Sequence, residues 1–231
     1  MAGRAPQFDY LLKYIIIGDA SVGKSNLLLR YSTGEFRSEY QTTIGVEFAA
    51  KNVNIDNLVY RIQLWDTSGQ EQFKSITRNY YKNSACALVV YDITSRDSFN
   101  SVATWIDEIR AQCTQSIYMI LVGNKIDLES VGKRQVETAE GQELAEKYEI
   151  KFYETSAKAG TNVDDVFFNS AKEIAKRIKD GFYNLQDDSC GIKKGNLQNE
   201  EQNKKLDKKD LKKRRRSFVK ILFIYDLKIL F

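Results

Sequence analysis

Histidine is missing from all 231 residues of the chain. Its absence removes the commonest general base and metal ligand at neutral pH, so Ser-His-Asp hydrolysis and His-based metal catalysis are excluded. Any chemistry has to come from positioning and charge. Cysteine is scarce too. Cys86, Cys113 and Cys190 are odd in number, far apart and without a CxxC pair, which argues against a disulfide framework or a zinc site and for a reducing, intracellular compartment. A single proline, Pro6, leaves the later elements free of breakers. There is no apolar run of about 18 residues, and the first fourteen residues are too broken by polar side chains for a secretory signal, so no membrane span or export is expected.

The composition is 42% hydrophobic and 29% charged, enough apolar material for a proper core in one domain plus a tail. The formal charge of +4 is unevenly spread: residues 1–180 carry 22 basic against 24 acidic side chains, and residues 181–231 carry 13 against 7. The basic character belongs to the tail, so the folded part is not a nucleic-acid-binding domain.

Hydrophobic, β-branched runs alternate with helical patterns from Tyr10 to about Lys179, the pattern of a mostly parallel sheet covered by helices. Strands are expected at residues 11–17, 85–92, 118–123 and 151–154, a first helix at 24–31, and a β-hairpin from residues 46–56 and 59–66 joined at Asn57–Leu58. Phe99, Val102, Ile106 and Ile109 recur at helical spacing, as do Val163, Val166, Phe167, Ile174 and Ile178, and these stripes read as core faces. Residues 33–45 lack periodicity and read as a candidate mobile loop. From Gly181 the sequence turns polar and lysine-rich and is expected to be a flexible tail.

Gly18-Asp19-Ala20-Ser21-Val22-Gly23-Lys24-Ser25 satisfies GxxxxGK[ST] between the first strand and the first helix, the context this phosphate-binding loop requires. Successive backbone N–H groups and the helix N-terminus would cradle phosphates, Lys24 would reach the β- and γ-phosphates, and the Ser25 hydroxyl would coordinate Mg²⁺. Contacts from Ala20, Ser21, Val22, Gly23, Lys24, Ser25 and Asn26 are expected. The loop alone does not distinguish GTP from ATP. Asn124-Lys125-Ile126-Asp127 follows the apolar strand 118–123, and Glu154-Thr155-Ser156-Ala157-Lys158 follows the last expected strand. A carboxylate such as Asp127 can accept from both the N1–H and the exocyclic amine of guanine, a donor pair adenine lacks.

With NKID and the SAK segment in place, the chain resembles the Ras-superfamily GTPases, and three further segments, Ile44-Gly45-Val46-Glu47-Phe48, Gln72–Tyr81 and Tyr91-Asp92-Ile93-Thr94, resemble the Rab family within it. The resemblance covers about residues 8–195. It implies a P-loop G domain at residues 8–180, with a six-stranded mostly parallel sheet and helices on both faces. It also implies a GTP-binding and GTP-hydrolysing switch that uses GTP/GDP and Mg²⁺ and regulates vesicle traffic. By this resemblance Asn124 holds the purine edge, Lys125 lies over the ring, Asp127 selects guanine, and a backbone N–H of Ser156-Ala157-Lys158 reads the guanine carbonyl.

Trp65-Asp66-Thr67-Ser68-Gly69-Gln70-Glu71 is similar to the family's WDTAGQE, with serine replacing alanine. Asp66 would bind Mg²⁺ through water, the Gly69 N–H would contact the γ-phosphate, and Gln70 would orient the attacking water. Thr43 matches the threonine that closes over Mg²⁺ and γ-phosphate, with Thr42 adjacent and the position beside Ile44 favouring Thr43; Phe36 matches the aromatic on the base edge. The implied metal ligands are therefore Ser25, Thr43 and Asp66, and the implied catalytic set is Gln70, Thr43 and Lys24. Ala20, glycine in some members, implies slow intrinsic turnover. With no arginine finger in cis, an activating protein is the expected source of catalytic groups. An exchange factor and effectors complete the implied partners, the effectors reading a patch of Phe48, Trp65 and Phe73.

The subgroup most similar serves traffic between endoplasmic reticulum and Golgi, which implies a cytoplasmic protein peripheral on those membranes when lipidated. Rab chains usually end in prenylated cysteines, whereas here the last one is Cys190 and a basic cluster at residues 212–216 precedes the mostly apolar residues 218–231. Three readings of this end are open: an anionic-membrane contact, an alternative terminus without the lipidated cysteines, and a nuclear-targeting signal. Two other functions also fit the motifs in part, a guanine-nucleotide scaffold that does not hydrolyse, and an ATP-using P-loop kinase, which Asp127 opposes.

Overall fold

The run YLLKYIII forms β1 (Tyr10–Ile17), whose second half is buried on both sides. Central strands of a parallel sheet are covered on both faces and so read as continuous apolar runs. The computed structural model describes residues 8–38, 43, 46–69, 79–113 and 117–195. Gln70, Phe73, Thr42, Ile44 and Gly45 lie outside the described residues, as does the tail beyond Gly195.

After β1 come α1 (Lys24–Thr33), β2 (Val46–Ile55), β3 (Leu58–Thr67), β4 (Cys86–Asp92), α2 (Arg96–Asn100), α3 (Val102–Gln112), β5 (Tyr118–Asn124), a 3₁₀ turn (Ile126–Val131), α4 (Thr138–Lys147), β6 (Lys151–Thr155), α5 (Val163–Lys179) and β7 (Ile192–Lys194). The order across the sheet is β2-β3-β1-β4-β5-β6, with β2 antiparallel to β3 and the rest of this path parallel. The expected strands and helices are thus present. The hairpin turn sits one residue earlier than expected, at Asp56 (φ 49°) and Asn57 (φ 64°), because two consecutive left-handed residues give the twist that matches the flanking strands.

Alternation along β1 divides two cores. Leu12, Tyr14 and Ile16 pack with Leu27, Phe167 and Ile174 of α1 and α5, while Ile15 and Ile17 pack with Ile106, Ile109 and Ala145 of α3 and α4. Period-two strand geometry puts neighbouring residues on opposite faces. Because β3 lies on one side of β1 and β4 on the other, the order of strands switches sides at the carboxyl end of β1. Open α/β sheets bind ligands in the crevice at such a point.

One strand joins the six expected along the sheet. The compact unit is Phe8–Lys194, and a seventh strand, β7, pairs antiparallel with β1 through Leu12↔Ile192 and Tyr10↔Lys194. The reason lies in β1, which meets β4 only from Tyr14 onward and so leaves its first residues with an open edge. Gly191 turns the chain into that lane at φ 71°, where a Cβ would collide with the backbone of Ser84 and Ala85. Tyr183, Cys190 and Ile192 are buried against the α1/α5 core, but their irregular spacing gives no periodic signal. Ile192→Ala should therefore cost about 2–4 kcal/mol of stability by cavity formation, read as a fall in the urea midpoint without a change in slope. A midpoint equal to that of the parent protein would mean that the strand is not docked in solution.

Candidate functional site

The loop between β1 and α1 sits at the carboxyl end of the central strand, with left-handed Ser21 (φ 66°) and Gly23 (φ 96°) turning it into the helix. Val22 is buried and Ala20 and Ser21 are exposed, so the loop is anchored by one apolar side chain and open to solvent beside it. Lys24, only 5% exposed, folds back over the loop and donates to the carbonyls of Gly18 (2.9 Å) and Asp19 (2.6 Å). Burial pulls its ammonium down to about 8, although the carboxylates of Asp66 and Asp19 oppose that. A desolvated ammonium held by two neutral carbonyls has charge available for an anion.

Asp66, near the end of β3, is fully buried. Its Oδ2 accepts from Ser25 Oγ at 2.5 Å and from Thr43 Oγ1 at 3.4 Å, and the two hydroxyls lie 2.7 Å apart. Its Oδ1 has no hydrogen-bond partner among the described residues. Burial raises the carboxyl to about 6, with Lys24 and the Ser25 hydroxyl pulling it down. An uncommitted buried carboxylate oxygen is costly unless something binds it. Two hydroxyls and a carboxylate form an all-oxygen donor set that fits a hard cation such as Mg²⁺, which takes few protein ligands and completes its shell with water and phosphate. Gly69 approaches the β1–α1 loop so closely that a Cβ there would overlap the backbone of Gly18, Asp19 and Ala20, so only glycine fits at this position.

At the other end of the crevice, Asn124 is buried at the end of β5 and ties three segments together. Its Nδ2 donates to the Val22 carbonyl (2.9 Å), and its Oδ1 accepts from Thr155 Oγ1 (3.1 Å) and the Ala157 N–H (3.2 Å). Lys125, left-handed at φ 72°, reaches over to donate to the Ser21 carbonyl (2.7 Å) and to pair with Asp92 (2.6 Å). Asp127 accepts from Ser156 Oγ at 2.6 Å through Oδ1. The phosphate loop, NKID and SAK segments are thus brought to one crevice. Asn26, expected to contact the ligand, pairs through its side chain with the backbone of Arg37 (2.9 and 3.0 Å), and Phe36 is half-buried against the α1/α5 core.

A model of the Ras family matches residues 13–176. The chain belongs to the Ras family. Members are GTPases that bind GTP or GDP with Mg²⁺ on an α/β P-loop fold and respond to regulators and effectors. Three supports of this Ras-family site gave no sequence signal. Arg30 of α1 donates to the carbonyls of Ala157 and Lys158, both at 2.7 Å. Trp105 of α3 donates to Asp19 Oδ1 at 2.7 Å, holding the phosphate loop from its far side. Arg134 joins the two base-end loops. Asp92 was the one detectable partner, since it closes an apolar strand at the ligand end of the sheet.

Proposed function

We propose that this Ras-family GTPase is a Rab-type switch for vesicle traffic, working on membranes between endoplasmic reticulum and Golgi. The observation that carries the switch reading is the meeting of Ser25, Thr43 and Asp66, because it joins Thr43, which comes after α1 in the chain, to hydroxyl and carboxylate oxygens of α1 and β3. In this reading Lys24 binds the β- and γ-phosphates, while loop amides of residues 20–26 hold the remaining phosphate oxygens. Ser25, Thr43 and Asp66 would hold Mg²⁺, and the bound cation would supply charge neutralisation for the triphosphate. The Gly69 N–H senses the γ-phosphate and Gln70 aligns the attacking water. Hydrolysis removes the γ-phosphate contacts and frees both switch segments.

The Rab assignment is supported by the segments around Ile44–Phe48, Gln72–Tyr81 and Tyr91–Thr94, and by an aromatic surface beside the switches. Phe48 is 44% exposed and meets the Trp65 ring edge-on at 5.0 Å; Trp65 in turn lies 5.4 Å from Tyr80. Rigid aromatics of this kind anchor protein interfaces. Effectors, an exchange factor and an activating protein are the partners proposed for it. Cys190 is buried, so a lipid on that thiol would require the β7 segment to undock.

Gln70→Leu should retain GTP binding and lose at least about 90% of single-turnover hydrolysis, the loss expected when the water-orienting amide is removed. In cells, the fluorescently tagged full chain carrying this change should concentrate on Golgi-region vesicles more than the unmodified chain does. Equal hydrolysis by both proteins would leave a scaffold, and a diffuse distribution of both would overturn the traffic assignment.

A further inference from the structure

Behind the base end of the crevice, one guanidinium bridges two carboxylates that belong to different elements, the 3₁₀ turn and β6. Arg134 is 8% exposed in its side chain; its Nε and Nη2 donate to Glu129 (2.9 and 3.1 Å), and its Nη1 and Nη2 donate to Glu154 (2.7 and 3.2 Å). Glu129 lies two residues after Asp127 in the 3₁₀ turn, and Glu154 lies two residues before Ser156 at the end of β6. The fork therefore spans the two segments whose front ends meet in the Ser156 Oγ to Asp127 contact. Thr138 Oγ1 also donates to Glu154 (3.0 Å), and Arg134 Nη1 donates to the Val136 carbonyl (2.9 Å), so neither the guanidinium nor Glu154 swings freely.

We propose that Arg134 is a positioning residue for base recognition, clamping the Asp127 turn to the SAK loop so that the Asp127 carboxylate stays where a guanine amine can meet it. The inference rests on the guanine-reading role of Asp127 given above. Only arginine offers the planar, two-sided fork that engages two carboxylates at once; lysine is a point charge on a flexible stem. None of the clamp's hydrogen bonds involves Lys24, Ser25 or Asp66, so its loss should act on discrimination between bases and leave the triphosphate contacts in place.

The experiment compares displacement of a fluorescent GDP by GDP and by IDP, whose hypoxanthine lacks only the exocyclic amine, in the full chain with Mg²⁺. Wild-type protein should prefer GDP by about ten- to a hundredfold, the value of a hydrogen bond to a charged group. Arg134→Ala should cut that preference at least fivefold, and Arg134→Lys, which keeps the charge near Glu154, should fall between. The lysine variant also supplies the measurement if the alanine variant fails to fold. An unchanged GDP:IDP ratio in folded variants, even with a lower melting temperature, would make Arg134 a structural ion pair and overturn the proposal. Wild-type protein that binds GDP and IDP equally, or ATP as well as GTP, would instead overturn the Asp127 assignment itself.

Discussion

Lys24→Met protein should lose about a hundredfold or more in affinity for GTP, the cost expected when a buried, charge-assisted phosphate contact is removed, and yet be no less stable without nucleotide. The two halves have one cause. Lys24 is buried and its ammonium is held down to about 8 by desolvation, against an ordinary value of about 10.4. With the pull of Asp66 and Asp19 already included, keeping that ammonium charged at neutral pH costs the fold about 3 kcal/mol. The folded state binds fewer protons than the unfolded chain between pH about 8 and the ordinary lysine range, so the Lys24 contribution makes stability rise with pH across that window. Methionine fills the same volume without the charge and should flatten that slope. Fluorescent-nucleotide titration measures the first half, and urea melts of nucleotide-free protein at pH 7 and 10 measure the second. A variant that retained GTP within tenfold of the parent would show that Lys24 is not a phosphate ligand. One as unstable as a core deletion would show that its burial serves the fold and not the site.

This pairing of function with cost explains the local design. Asp66 is raised to about 6 by the same burial, so the site holds a desolvated ammonium beside a desolvated carboxylate, each favouring the charged form of the other. Each gains a partner when a metal-bound triphosphate enters. Binding energy is stored as desolvation already incurred in the protein, an arrangement in which stability and activity are traded against each other.

How far such a site can be seen from sequence depends on the separation of its parts. The phosphate loop was legible because its turn, lysine and hydroxyl are consecutive between a strand and a helix, and NKID and SAK were legible because each follows an apolar strand. Trp105 and Asp19 meet across 86 positions, and Arg134 meets Glu154 across 20, so no local period announces either contact. The β7 strand was missed for a related reason. Three residues following a polar stretch have no pattern of their own, and they pair because β1 overhangs β4, a property of the assembled sheet. The hairpin slipped by one residue because Asp56, Asn57 and Leu58 all tolerate a turn in sequence terms, while the twist of the two strands selects the first two.

Asp127→Asn should exchange the base that the protein accepts: affinity for GTP should fall by at least about a thousandfold, the scale at which sites built around a hydrogen bond reject a mismatched partner, and XTP should become the preferred triphosphate. The argument is one of donors and acceptors. Guanine presents an N1–H and an amine, both donors, to a carboxylate that only accepts. An amide at the same position turns an N–H₂ toward the amine, two donors facing each other with no acceptor between them, and each left unpaired in a partly buried pocket. Xanthine carries a carbonyl where guanine carries the amine, so the same amide finds an acceptor there. The surroundings should survive the change, since Ser156 Oγ donates to Asp127 Oδ1 at 2.6 Å and an amide oxygen can accept in its place, while Arg134 continues to hold the turn through Glu129. Competition of GTP, XTP and ATP against a fluorescent nucleotide decides the matter: a variant that still preferred GTP would place base recognition elsewhere in the crevice, whereas one that lost GTP without gaining XTP would point to a collapsed loop.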